Sequence, residues 1–361
     1  MKRVLIITDI DFWRGGAGHR SRLSQLIEYL SPIVSLTVAY TKEFGRSDKN
    51  EIESKAFRFS LALLNESGTL DLKDMGPMVQ ELTIANGYDI CIIEYIHNTY
   101  FLNFIPRHLI TILDTHDIVS ERGDSLKKIP SEAPLFMLSE ERELKLFSYY
   151  DYIMLICEPD YQKIGKIIPK EKLLLVPHFC PPVPKETKAN ATCIGFVGSE
   201  YIANKDGLLH FVSTSWPLLR RTRNVELKIF GNIRNVLPAD RFDDRIRIEG
   251  FIPDTSQIYK EIDIAINPIR YGAGIKIKSV EALAHETPLV TTAHGARGLE
   301  KGYNRAFLVA DDPRSFSLHI GHLLDDFQYR KTVARRGREF VQQQFSQGMC
   351  YQQLISVIYN N

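Results

Sequence analysis

The chain has 361 residues, with 45 lysines and arginines against 44 aspartates and glutamates, 44% hydrophobic residues and 25% charged ones. That composition excludes a disordered, collagen-like or repeat-array chain, and a formal charge of +1 gives no extended cationic surface, so no nucleic-acid partner is expected. The length suggests two domains, each able to bury its own core.

No apolar run reaches the ~20 residues that span a bilayer, and the apolar stretch 4–7 is too short for a signal peptide. The five cysteines (Cys91, Cys157, Cys180, Cys193 and Cys350) form no C-x-x-C pair, which argues against a disulfide framework and a cysteine zinc site. A reducing, cytoplasmic location is expected.

Short apolar runs then alternate with helical segments. Residues 4–8 read as a buried strand. Leu23, Leu26, Ile27 and Leu30 give residues 19–30 a helical face. Further strands are expected at 34–39, 90–94, 109–113, 152–157 and 173–176, with helices at 51–64, 78–86 and 140–150. Residues 177–188 hold four prolines and cannot continue a central strand or helix. The alternation restarts with strands at 194–197, 226–230, 245–249, 264–267, 288–292 and 306–309. Helices are expected at 206–219, 258–262, 277–285, 315–325 and 329–345, followed by an amphipathic segment at 351–359. Strands alternating with helices imply parallel pairing and two doubly wound α/β sheets, whose ligands bind at the carboxyl ends of the strands. Up to residue 180 the chain carries 21 basic and 25 acidic residues, net −4, and beyond it 24 and 19, net +5. The anion-binding half is therefore expected to be the second.

The run 267–284, NPIRYGAGIKIKSVEALA, ends a strand, turns through a glycine loop and enters a helix near Ile275. Gly272 and Gly274 permit close backbone approach, and the unpaired N–H groups favour a phosphate. Lys276 and Lys278 add positive charge in the first turn, where the helix dipole opposes it, which points to a bound anion. Glu281 lies within i, i+3 reach of Lys278. It reads either as a surface ion pair or as the acceptor for a ribose diol. Arg270 reads as a surface cation or an anion contact.

From Arg245 to Leu299 the sequence resembles the donor-binding half of retaining GT-B glycosyltransferases of the family 4 type. The family pattern is a glycine loop, a lysine and EALA-x-G-x-P-V-V, with Glu286 and Thr287 here in place of x-G. The resemblance implies two Rossmann-like lobes facing a cleft: 1–180 for the acceptor, a proline-rich linker at 181–190, and 191–345 for the nucleotide sugar. Residues 346–361 would form a last helix crossing back to the first lobe. It also implies transfer of a sugar from a nucleoside-diphosphate sugar to a hydroxyl of a glycan or lipid-linked acceptor, with retention, in bacterial surface polysaccharide synthesis. No cofactor and no metal are implied. Of the family's two glutamates eight positions apart, Glu281 matches the second, which holds the ribose, and Ala273 stands at the first. After the first strand of the second lobe the family often has an arginine, here Ser199, and a lysine, here Lys205, both on the diphosphate. Lys276 or Lys278 would restore the missing charge. Gly231 and Ile252 sit where the family wraps the base.

In the first lobe, residues 14–20 (RGGAGHR) do not have the spacing of a dinucleotide fingerprint. Gly16 suits the donor sugar, and Gly18, His19 and, beyond this loop, Asp117 the acceptor side. Asp114-Thr115-His116-Asp117 resembles the family's His-Asp element, in which His116 would hydrogen-bond donor sugar or phosphate and Asp117 orient its imidazole. With Lys205 it is the catalytic candidate. Arg220-Arg221-Thr222-Arg223 and Arg335-Arg336-Gly337-Arg338 are either solvated helix faces or a peripheral contact with anionic headgroups of the inner membrane. A non-catalytic GT-B-like subunit and a nucleotide-sugar epimerase stay open as alternatives.

Overall fold

The computed structural model describes residues 1–55, 58–130, 136–238 and 242–360. Strands β1 (Arg3–Thr8), β2 (Ser35–Tyr40), β3 (Ser60–Leu63), β4 (Ile90–Glu94), β5 (Ile110–Asp114), β6 (Tyr152–Leu155) and β7 (Leu173–Leu175) form one sheet. Its order is β3-β2-β1-β4-β5-β6-β7, and every neighbouring pair is parallel. The central sequences RVLIIT and ICIIE are apolar without alternation and buried on both faces, as a sheet covered by helices on both sides requires. A second parallel sheet follows, built from β8 (Cys193–Val197), β9 (Glu226–Phe230), β10 (Ile246–Gly250), β11 (Ile264–Asn267), β12 (Leu289–Thr291) and β13 (Leu308–Val309). Its order is β10-β9-β8-β11-β12-β13. In each sheet the strand order reverses once, at β1/β4 and at β8/β11, and such a switch point opens a crevice at the carboxyl ends.

Several stretches differ from expectation, among them two in the first lobe. The helix expected at 51–64 is instead Arg46–Glu53, the apolar run at 60–63 is strand β3, and 56 and 57 lie outside the described residues. The start is set by Asp48, whose Oδ2 accepts the Gly45 N–H at 3.0 Å, while β3 pairs in register with β2. A four-residue apolar run has no period that separates helix from strand. The helix expected at 78–86 begins earlier, at Leu72, on a capping box between Asp71 and Asp74, with Pro77 taken into its second turn.

The segment after β7 lies along the second lobe. Val183 N–H donates to Ala284 O at 2.8 Å, and the buried Arg330 donates to the carbonyls of Lys188 and Ala189 at 2.6 and 2.8 Å. The last helix, Gln347–Asn360, returns to the first lobe. There Tyr351 stacks on Tyr29 at 4.4 Å, Gln353 Oε1 accepts the Leu175 N–H at 2.6 Å, and Tyr359 donates to Ile33 O at 2.9 Å. Within the first lobe, Arg22 is 3% exposed. It forks onto both oxygens of Asp114 at 2.9 and 3.0 Å and donates to Val176 O at 2.8 Å, tying the helix Gly18–Leu30 to the ends of β5 and β7. The lobes also touch directly. Arg297 reaches Glu121 and Asp160, each at 2.6 Å, and Gly272 N–H donates to Ser125 Oγ at 2.9 Å.

Candidate active site

The carboxyl ends of the two sheets enclose a cavity of about 530 Å³. The loop after β1 brings Gly16, Gly18 and His19 to it, and the ends of β4 and β5 bring Tyr95, His116 and Asp117. From the second lobe come Ser199, Tyr201 and Asn204 after β8, Gly231 after β9, and Ile252 after β10. The loop and helix after β11 add Gly272, Ala273, Lys276, Lys278 and Glu281.

The β11 loop turns through Gly272 at φ 112° and Gly274 at φ 64°, which side-chain-bearing residues rarely adopt. Gly274 lies behind the cavity wall, where a Cβ would stand 3.1 Å from His116 O, so the loop meets the first lobe backbone to backbone. Lys276 caps the helix Ile277–Ala284 and folds its ammonium back onto the carbonyls of Ala273 and Gly274, both at 3.0 Å. Lys278 donates to Asn204 Oδ1 at 2.7 Å and lies 4.4 Å from the Phe196 ring centre. Neither lysine has an ion-pair partner among the described residues. Burial brings Lys276 down to about 8 and Lys278 to about 7, with repulsion from Lys276 adding to the latter. One turn on, burial raises Glu281 to about 7 against the pull of Lys278, and its carboxyl makes no hydrogen bond among the described residues. Two cations pressed toward neutrality beside an unpartnered carboxyl leave a set of polar groups incompletely paired within the protein.

On the opposite wall Tyr95 and His116 both adopt positive φ, 63° and 57°, and their rings stack at 4.1 Å. Two non-glycine residues held this way cost ~1–3 kcal/mol each, a strain typical of functional sites. His116 Nε2 lies 2.6 Å from Glu94 Oε2. Burial lowers His116 to about 4 and pushes Glu94 well above its usual range, with the Asp114 charge adding to the latter. Near neutral pH His116 is therefore an uncharged hydrogen-bonding ring. Asp117 does not orient it, contrary to expectation. Both oxygens of Asp117 accept from Arg122 Nη1, at 2.8 and 2.9 Å, and the partner of His116 is Glu94, which ends β4 directly beside Asp114 of β5. Donor atoms of Glu94, Asp114 and His116 lie within 4.8 Å of one another, as metal ligands could. Arg22 already holds both Asp114 oxygens, so an arginine supplies the positive charge there. His19 lines the cavity too, lowered to about 4 by burial and by His116.

Three expected residues lie outside the cavity lining, Gly274 behind its wall and Lys205 and Arg270 farther off. Lys205 sits on the helix Ile202–Thr214 with its side chain elsewhere, and its neighbour Asn204 faces the cavity and receives Lys278. Arg270 is forked onto Asp206 at 2.9 to 3.1 Å. Sequence reasoning also missed Tyr95, Arg122 and Tyr201. Glu94 had a signal that went unused: a lone carboxylate closing the otherwise apolar strand ICIIE. The two arginine runs are largely tied down, Arg220 to Asp243, Arg223 to Asp325, Arg335 to Glu339 and Arg338 to Glu286. All five cysteines are free and buried, and no helix among the described residues is long and apolar enough to cross a membrane.

Residues 191–326 match the family "Glycosyl transferases group 1". A stretch of 162 residues is 25% identical to an uncharacterized 44.6 kDa protein in the cps region of Klebsiella pneumoniae, covering 42% of each chain. A stretch of 173 residues is 24% identical to the capsular polysaccharide biosynthesis glycosyltransferase CapM of Staphylococcus aureus, covering 45% of each. The match thus spans less than half the length of either relative. Anabaena HepE, solved in complex with UDP and glucose, superposes over 100% of both chains with a TM-score of 0.75 at 13% identity. The second lobe thus matches the glycosyl transferases group 1 model over residues 191–326, and the whole chain shares the two-lobed GT-B fold of its structural neighbours.

Proposed function

We propose that the protein is a retaining glycosyltransferase that moves a sugar from a nucleoside-diphosphate sugar to a hydroxyl of a glycan or lipid-linked acceptor in the assembly of a surface polysaccharide. The observation that carries this reading is the pair Lys276 and Lys278, unpaired and pressed toward neutrality beside the glycine loop and Glu281. The diphosphate lies against the two ammonium groups and the loop N–H groups, and the ribose diol against Glu281. The bond from the anomeric carbon to the diphosphate oxygen breaks as the acceptor oxygen bonds that carbon from the same face, and the acceptor proton passes to the departing phosphate. Charge develops mainly on the leaving group, so fixed positive charge at that end is the main need. The lysines supply it, so the reaction requires no divalent ion and no cofactor. His116, neutral and set by Glu94, offers a hydrogen bond to donor sugar or phosphate. Ser199, Gly231 and Ile252 line the remainder.

The location that goes with this reading is the cytoplasmic side of the membrane on which the polysaccharide is built. CapM, named for capsular polysaccharide biosynthesis, supports the pathway class. A thermal-shift panel of UDP, GDP, TDP, ADP and CMP sugars tests the reading: one nucleoside-diphosphate series should stabilise the chain, and turnover with it should survive EDTA. Stabilisation by none would overturn the reading, and binding without turnover on any acceptor extract would favour a non-catalytic subunit.

A further inference from the structure

Behind the cavity wall the register of β4 and β5 sets two carboxyl groups side by side, Glu94 and Asp114, 0% and 1% exposed. One guanidinium serves them. Arg22 forks onto both Asp114 oxygens at 2.9 and 3.0 Å, so that pair is balanced by itself. The other carboxylates that act on this corner are matched elsewhere, Asp9 by Lys42 at 3.0 Å and Asp117 by Arg122 at 2.8 Å. Glu94 is left with His116 Nε2, 2.6 Å from its Oε2, while its Oε1 is buried without a partner. An ionised Glu94 beside a neutral ring would put an uncompensated charge, half of it on an unpaired oxygen, where water does not reach, and burial strongly opposes that.

One proton between Oε2 and Nε2 removes the imbalance. Arg22, Asp114, Glu94 and His116 are then neutral together whichever of the two atoms holds it, and in both arrangements the other ring nitrogen, Nδ1, carries hydrogen. Burial keeps the proton on Glu94, raising its carboxyl well above the usual range and lowering His116 to about 4. Nδ1 makes no hydrogen bond among the described residues and belongs to a ring that lines the cavity, its plane held against Tyr95 at 4.1 Å. We propose that Glu94 is a positioning residue for glycosyl transfer: by sharing one proton with His116 Nε2 it makes Nδ1 a hydrogen-bond donor to the cavity, fitted to an accepting oxygen of the nucleotide sugar. Had Glu94 accepted from Nε2 instead, Nδ1 would present a lone pair and repel that oxygen. The role in transfer rests on the glycosyl-transfer reading; the place of the proton does not.

Nitrogen NMR on the full chain, isotope-labelled at its ten histidines, tests this, because a ring nitrogen that bears hydrogen and one that does not resonate far apart. His116 is assigned through its contact with the Tyr95 ring. At neutral pH its Nδ1 should carry hydrogen in the free protein, and the signal should move on binding. Movement with inorganic pyrophosphate, or with the nucleoside diphosphate chosen by the thermal-shift panel, puts the accepting oxygen on phosphate; movement only with the nucleotide sugar puts it on the sugar. Glu94→Gln, uncharged and still able to donate to Nε2, should keep the Nδ1 hydrogen and turn over near the wild-type rate. Glu94→Leu should lower kcat by about tenfold, the worth of one hydrogen bond, with a smaller effect on KM, because a bond to an oxygen that gains charge strengthens in the transition state. The NMR reading needs no variant, so it carries the test if Glu94→Leu does not fold. The proposal is overturned if Nδ1 is bare, if a bound nucleotide sugar leaves its signal unmoved, if Glu94→Leu turns over as wild type, or if Glu94→Gln loses as much as Glu94→Leu. An Nδ1 hydrogen in a chain that binds no nucleotide would sink the transfer reading and leave the proton where it is placed. Nucleotide turnover by a chain with a bare Nδ1 would do the reverse.

Discussion

Replacing Lys278 by methionine should move nucleotide affinity and fold stability in opposite directions. In the free protein the ammonium rests on Asn204 Oδ1 at 2.7 Å, with no carboxylate partner and a pKa brought by burial from 10.5 to about 7. A diphosphate oxygen at that position would supply a charge-assisted hydrogen bond worth ~1.5–3 kcal/mol, so its loss should weaken nucleotide binding by about ten- to a hundredfold. The same substitution removes a group whose charging the fold opposes, and methionine keeps the length of the chain. The ligand-free variant should therefore melt no lower than wild type at pH 7, and higher below it.

The pH dependence follows from the same group. Between pH 7 and 10.5 the unfolded chain binds a proton at Lys278 that the free folded protein does not, so stability of the free protein rises with pH across that window. Glu281 acts oppositely between 4.5 and about 7, where the folded state holds the extra proton and stability falls as pH rises. The two together place a dip near neutrality. Nucleotide binding returns Lys278 toward its ordinary pKa, so affinity should fall by up to ~tenfold per pH unit above 7. Calorimetry in buffers of different ionisation enthalpy reads the proton uptake directly. A flat affinity between about pH 7.5 and 9.5, or wild-type binding by the methionine variant, would refute the placement of the diphosphate on Lys278.

Glu281→Ala should weaken nucleoside diphosphate binding by about tenfold and leave inorganic pyrophosphate unaffected, because only the former offers a diol; equal losses in calorimetry would remove the ribose role. Gly274→Ala should cost ~1–2 kcal/mol for the left-handed backbone alone, plus the approach of its Cβ to His116 O at 3.1 Å, read as a lower melting temperature together with slower turnover. Arg22→Met leaves Asp114 ionised and buried without its partner and should cost ~3–5 kcal/mol in urea unfolding. A loss under about 1 kcal/mol would mean Asp114 takes up a proton easily.

The elements that could be read from sequence were those whose signal is local. Buried parallel strands are apolar without alternation, so β1, β4, β5, β8 and β11 stand where the runs are, and the glycine pair before Lys276 announces a loop at a strand end. The residues that were missed are those fixed by pairing between distant elements. Glu94 meets His116 because β4 and β5 align Glu94 with Asp114, a register no local pattern encodes. Asn204 faces the cavity instead of Lys205 because the phase of the helix Ile202–Thr214 is set by burying Ala203, Gly207, Leu208 and Phe211, which decides which neighbour looks into the cleft. Arg297, clasping Glu121 and Asp160 across the lobes, belongs to the same class.

The division of charge into net −4 and net +5 favours the half of the chain that holds the two unpaired lysines, but it is not what sets these lysines apart. Many of the cations in the second half are held on carboxylates where they stand. Arg220, Arg223, Lys228, Arg270 and Arg338 each lie on a carboxylate at 2.6 to 2.9 Å. At physiological salt such exposed pairs contribute little field beyond ~8 Å. Lys276 and Lys278 differ in being half-buried, close together and without a carboxylate in contact, on a loop whose glycines bring main-chain N–H groups to the same point. An anion entering there meets charge that water screens poorly and that no protein group has neutralised. Two lysines placed so outweigh a lobe-wide surplus that is spread over a screened surface, and this is why adding surface lysines elsewhere on the second lobe should leave nucleotide affinity unchanged at physiological salt while replacing either Lys276 or Lys278 by methionine lowers it.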